Sequence, residues 1–168
     1  MPFINPPAKR RLFPSPERAL ELSSVKVVVR IPFHASPKAV YQAWLNPELI
    51  GRWMFGRLLR EEEVLGIVID ARVGGNFSFL VRRDGHEIDH VGEYLELLPF
   101  EKLLFTWAIR ENLPDTSRVM VKIEPAGEGC EVELQHEPAP AWADFVGRTE
   151  EAWKKMLTVL KHILEGNG

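Results

Sequence analysis

PAWADFVGRTEEAWKKMLTVLKHIL, residues 140–164, decides how the rest of this chain is read. At about 100° per residue, its large apolar side chains fall within an arc of about 120°. Trp142, Phe145, Val146, Trp153, Met156, Leu157, Leu160, Ile163 and Leu164 share that face, while Asp144, Arg148, Glu151, Lys154, Lys155, Lys161 and His162 point elsewhere. Pro140 suits a first helical turn and Gly166 a C-terminal stop. Gly147 weakens the early half, so the pattern is firmest from Arg148 to Leu164. One long amphipathic helix is expected here, with an apolar face that needs covering.

The upstream sequence supplies strands to cover it. Val25 to Phe33 is rich in β-branched residues, with Val25, Val27, Val29 and Ile31 on one face. Ser36-Pro37 and Asn46-Pro47 then each open a short helix, because a capping side chain is followed by a proline with preset φ. From Glu63 onward the period is two. Strands are expected over 63–73, with Gly66 interrupting, and over 76–83, 86–97, 103–110, 118–124 and 130–136. Gly74-Gly75, Asp84-Gly85 and Gly127-Glu128-Gly129 punctuate them as turns. A meander of six to seven strands with one terminal helix makes a two-layer α+β domain. A single helix cannot cover a flat sheet that wide, so the sheet must curl, leaving room for a cavity between the layers.

Composition narrows the function classes. The 168 residues, 45% of them hydrophobic, are enough for one sizeable core. A formal charge of -3 does not fit electrostatic binding of nucleic acid. The lone Cys130 precludes an internal disulfide framework. No apolar run approaches the ~20 residues of a membrane span, and the proline-rich N-terminus has no signal core. A cytoplasmic protein is expected. Residues 1–23 form a proline-rich, locally basic extension, with Lys9-Arg10-Arg11 as a solvated tail and a short helix from Ser15 to Leu22. Residues 24–168 form the single domain.

Several stretches together resemble the START-like helix-grip (SRPBCC) superfamily, and within it the activator of heat-shock protein 90 ATPase homologue-like family. They are Ser36 to Trp44 followed by Asn46-Pro47-Glu48 and Trp53, Asp70 to Gly75, Gly92 to Leu97 through Pro99, Leu103 to Trp107, Leu134-Gln135-His136, and the Trp153 helix. The likeness covers about residues 24–164. It implies a curved antiparallel sheet wrapped around the C-terminal helix, with two short helices after the first strand.

The residues offer few groups for catalysis. His136 shares a strand face with Val132 and Leu134 and therefore points toward the helix, either as a polar anchor or as a satisfied core histidine. His86 and His90, four apart on one strand, stand ~13 Å from each other, too far to share a metal. His34 and His162 read as surface residues. Glu61-Glu62-Glu63 reads as a solvated loop or strand start. Glu93 and Glu96 reach the interior only if the strand bulges at Gly92. Neither a phosphate loop nor a serine elbow is present, and no metal or other cofactor is expected.

Aromatic residues carry the remaining signal. Trp53, Phe77, Phe79, Trp107, Trp153, Met156 and Leu160 would supply apolar area to a pocket, with His136 as its polar group. The expected function is binding of a small hydrophobic or aromatic molecule between sheet and helix. Two rivals stand beside it: a co-chaperone-like protein-interaction module with a protein partner, and a pocket enzyme of cyclase or hydrolase type using His136, His90 or Glu93.

Overall fold

A computed structural model of the chain describes residues 26–166, apart from the side chains at 141 and 142. The basic tail, the Ser15–Leu22 helix, Val25 and the Trp142 side chain lie outside the described residues.

Strand β1 (Val27–Phe33) leads into two short helices, α1 (Pro37–Ala43) and α2 (Pro47–Trp53). Both begin as the sequence requires. Ser36 Oγ accepts from the Ala39 amide at 3.1 Å, and Asn46 Oδ1 accepts from Glu48 at 2.9 Å and Leu49 at 3.3 Å. These bonds satisfy amides that the first helical turn leaves open. The meander follows as β2 (Glu63–Ile69), β3 (Asn76–Arg83), β4 (His86–Leu98), β5 (Lys102–Ile109), β6 (Ser117–Ala126) and β7 (Gly129–Glu137). All pairings are antiparallel, in the order β1-β7-β6-β5-β4-β3-β2. At the β3–β4 turn Asp84 has φ 53° and Gly85 φ 80°, the pair of left-handed residues that a tight hairpin needs.

Seven strands curve around α3 (Val146–Leu164), the helix-grip arrangement. Its inward face is Trp153, Met156, Leu157 and Leu160, all fully buried. Against them lie the inner faces of the strands: Phe77, Phe79 and Val81 on β3, Phe105 and Trp107 on β5, Val119 and Val121 on β6, Val132 and Leu134 on β7. Polar tethers fix the second half of the helix and its C-terminal end. Lys155 Nζ donates to the Leu59 carbonyl at 3.0 Å and Lys161 Nζ to the Pro32 carbonyl at 2.6 Å. The His34 amide donates to Glu165 Oε2 at 3.0 Å.

Two local expectations need correction, on the final helix and on Glu62, and the condition set for Glu93 and Glu96 is not met. The final helix does not start at Pro140: a 3-10 segment runs from Pro140 to Phe145, and the α-helix begins at Val146. The bulge in β4 falls between Tyr94 and Glu96, not at Gly92. Glu93 therefore stays exposed, and Glu96 bonds Lys102 at 2.6 Å rather than entering the core. Glu62 is not solvated. Its carboxylate is fully buried, held by Arg83 at 2.6 Å, Arg60 at 2.7 Å and the Gly56 amide at 2.7 Å.

Candidate functional site

The eight residues expected to line a pocket come together between sheet and helix. Trp53, Phe77, Phe79, Trp107, His136, Trp153, Met156 and Leu160 are all buried. They form one continuous aromatic and aliphatic assembly in ring-to-ring contact. Phe77 stacks on Phe79 with centroids 4.6 Å apart, and Trp107 approaches Phe77 at 5.9 Å and Trp153 at 5.8 Å. Such offset and tilted pairs avoid face-to-face repulsion and add about 1 kcal/mol each beyond the area they bury.

Further residues join them that were not among the expected pocket residues. Trp44, at the end of α1, sits among Trp53 at 4.7 Å, Trp153 at 5.9 Å and Phe105 at 6.1 Å. Phe55, just past α2, lies 4.7 Å from the His90 ring. Trp44 was legible as an apolar helix residue; its place among three rings depends on how α1 packs against α2, α3 and the sheet, which no local pattern encodes.

The indole N–H groups divide these residues chemically. Trp53 Nε1 donates to the Ala43 carbonyl at 3.1 Å, closing α1 against α2. Trp153 Nε1 donates to His136 Nδ1 at 2.8 Å, a bond entirely within the core. Trp44 Nε1 is buried and has no acceptor among the described residues. An unsatisfied buried donor costs about 1–3 kcal/mol, so this one stands out.

Both interior histidines are neutral. Burial pushes His136 down to about 4, and burial likewise pushes His90 down to about 4 against the opposing pull of the Phe79 carbonyl. Their tautomers differ. His136 accepts at Nδ1, so its proton is on Nε2, whereas His90 Nδ1 donates to the Phe79 carbonyl at 3.0 Å. Burial also raises the Tyr94 phenol well above its ordinary range. The interior therefore presents apolar surface and neutral hydrogen-bonding groups. Of the three acid–base candidates, Glu93 lies outside this region and the two histidines lie within it. Among the described residues no three His, Cys, Asp or Glu side chains gather as metal ligands would. No helix of the described residues is long and apolar enough to cross a membrane.

Neutral burial has a pH consequence. The unfolded chain protonates these histidines near 6.5, the folded one only near 4. The unfolded state thus binds more protons in between. The contribution is fully present above pH 6.5, declines as pH falls from 6.5 toward 4, and is lost below the folded value. It amounts to about 3 kcal/mol per histidine. Ring carbon shifts of His136 should stay those of a neutral imidazole down to pH 5, and replacing it with Gln should flatten the acid slope of urea stability. Titration of His136 near 6.5 in the folded protein would contradict this.

Comparison with known proteins places the fold. The family model described as "Activator of Hsp90 ATPase homolog 1-like protein" matches residues 34–165. No curated protein matches the chain. Among solved structures, a protein from Nitrosomonas europaea superposes with a TM-score of 0.72 at 16% identity, covering 84% of this chain and 95% of that one. The Aha1 dimer from Colwellia psychrerythraea gives 0.66 at 23% identity, covering 85% and 98%. CalU16 from Micromonospora echinospora gives 0.63 at 22% identity, covering 83% and 75%. At these identities the likeness is one of fold.

Proposed function

The chain belongs to the family of activator of Hsp90 ATPase homolog 1-like proteins, and from that premise we propose that it binds a small, uncharged aromatic or otherwise hydrophobic molecule between its curved sheet and α3. One observation carries this reading: the Trp44 indole N–H, buried among the rings of Trp53, Phe105 and Trp153, has no acceptor among the described residues. A ligand oxygen placed there would remove the penalty of an unmade hydrogen bond. Trp107, Trp153, Phe77 and Phe79 would contribute apolar contact, Trp53 and Leu160 the walls, and His136 a neutral polar edge.

The rings touch one another, so the ligand enters by displacing side chains. Met156 suits that role, since its thioether repacks at little cost. Neutral histidines, and no carboxylate among the gathered residues, favour an uncharged ligand, because an isolated ion would lose its hydration without gaining a partner. The same neutrality favours binding over hydrolysis, which needs a group able to exchange a proton near pH 7.

Native mass spectrometry of protein purified from its own host tests the proposal. A co-purifying molecule of small mass, released by organic solvent and lost in Trp107→Ala, is the expected result. A stoichiometric protein in its place, with no small mass, would favour the interaction-module reading. The bare chain alone, with tryptophan emission unchanged by 2-naphthol, would contradict the proposal.

A further inference from the structure

Outside the core, a groove of about 1080 Å³ runs between the Leu58–Arg60 segment and the outer side of α3. It follows the helix from Gly147 to His162, roughly 22 Å at 1.5 Å per residue. Its apolar surface comes from Leu58, Leu59, Ala152 and Val159. Leu58 is 60% exposed, an uncommon place for a leucine in a turn that could hold a polar residue. Arg60, Arg148, Lys154 and Lys155 supply four cations to the walls, and Glu151 is the single carboxylate there.

Among the described residues these cations are only partly paired, Arg60 with Glu62 and Lys154 with Glu150, while Arg148 and Lys155 meet no carboxylate within ion-pair distance. Lys154 meets Glu150 only at 3.7 Å, in an exposed i,i+4 pair, which is worth a few tenths of a kcal/mol. Lys155 is aimed at a carbonyl, not a carboxylate. Behind Arg60 the buried Glu62 is shared with Arg83, so two guanidinium groups divide one negative charge. The groove is therefore positive on a chain whose net charge is -3.

We propose that this groove docks a short acidic, amphipathic segment of a partner protein. Charge complementarity selects the sign, since a local cationic concavity on an acidic protein draws in carboxylates and repels basic surfaces. The chain's own N-terminal segment, with Lys9, Arg10, Arg11 and Arg18, has the wrong sign. Length selects a peptide over a small molecule: roughly 22 Å accommodates about four helical turns laid beside α3. The apolar strip seats the segment's leucine-like side chains, and the cationic rim pairs with flanking Asp or Glu. The site is independent of the aromatic interior, from which α3 separates it.

Selection of random 16-residue peptides displayed on phage against the full chain tests it. Enriched sequences should be rich in Asp and Glu, with apolar residues three and four apart. A synthetic copy of the leading peptide should lose at least tenfold in affinity to the R148E/K154E variant and again to L58S, all at exposed positions whose folding is checked by circular dichroism. Enrichment of basic or neutral sequences would overturn the proposal. So would acidic peptides indifferent to both variants. Capture by phosphatidylglycerol vesicles with no peptide enriched would assign the groove to an anionic membrane surface instead, and a self-association abolished by R148E/K154E would assign it to a second copy; either would overturn it too.

Discussion

Replacing Glu62 with Gln should cost about 3–5 kcal/mol of folding stability, more than any other single polar substitution in the described residues. The side chain has no exposure and Arg83 only 2%, so the pair lies out of water. Arg83 presents Nε at 3.0 Å and Nη2 at 2.6 Å to the same oxygen, while Arg60 holds the other at 2.7 Å. A neutral amide there would leave two guanidinium groups facing each other in a low dielectric. Burial, together with the nearby Arg83 charge, already depresses the Arg60 pKa, and Glu62 opposes that. The loss should therefore appear as uncompensated repulsion, not as missing contact area. Two checks separate these causes. Urea midpoints should fall sharply for E62Q, and most of the loss should return in E62L/R83M, where no charge remains buried. A drop below 1 kcal/mol for E62Q would show that water reaches the three groups.

The second large effect is expected at Gly92, which faces Phe77 across the β3–β4 ladder. A Cβ built at this position would run into the Thr106 carbonyl oxygen and the Phe77 ring edge. The carbonyl belongs to the sheet backbone and cannot swing away, so relief requires β4 and β5 to part. Overpacking of this kind costs about 3 kcal/mol and sometimes more. Gly92→Ala should lower the thermal midpoint by about 6–12 °C, given roughly 2–4 °C per kcal/mol for a chain of this size. Adding Phe77→Leu should recover only part, because the carbonyl contact persists. Full recovery would show that the ring alone sets the constraint. Gly92 and Phe77 also anchor the floor of the aromatic assembly, so the glycine links sheet curvature to the site.

How much of this was readable beforehand follows from the range of each interaction. The terminal helix, the capped helix pair and the hairpins depend on residues within a few positions of one another, and periodicity and turn chemistry exposed them. The inward faces of β3, β5 and β7 followed from alternation alone, and the aromatic candidates lie buried together between sheet and helix. Glu62 escaped because its partner Arg83 lies 21 residues away; inside a run of three glutamates the local pattern says only that the segment is polar. The unpaired indole of Trp44 escaped for a related reason, since its isolation from any acceptor among the described residues is a property of three elements packed together. The side that Glu93 faces stayed open in the sequence because strand register and bulge position are not encoded locally; the bulge falls between Tyr94 and Glu96. The groove along α3 was invisible as well: its cations are an ordinary solvated helix face until the Leu58–Arg60 segment is laid beside them.

Hydrogen–nitrogen correlation spectra of the indole groups, recorded while the protein is titrated with a set of uncharged aromatic ketones, test the interior site most directly. The Trp44 indole proton should move downfield with at least one of them as it gains an acceptor, together with the Met156 methyl signal, while the Trp53 indole, already bonded to the Ala43 carbonyl, holds its position. If the Trp44 signal stays fixed throughout, or the shifts are confined to exposed residues, the space between sheet and helix is closed to ligands and the binding function proposed for it is wrong.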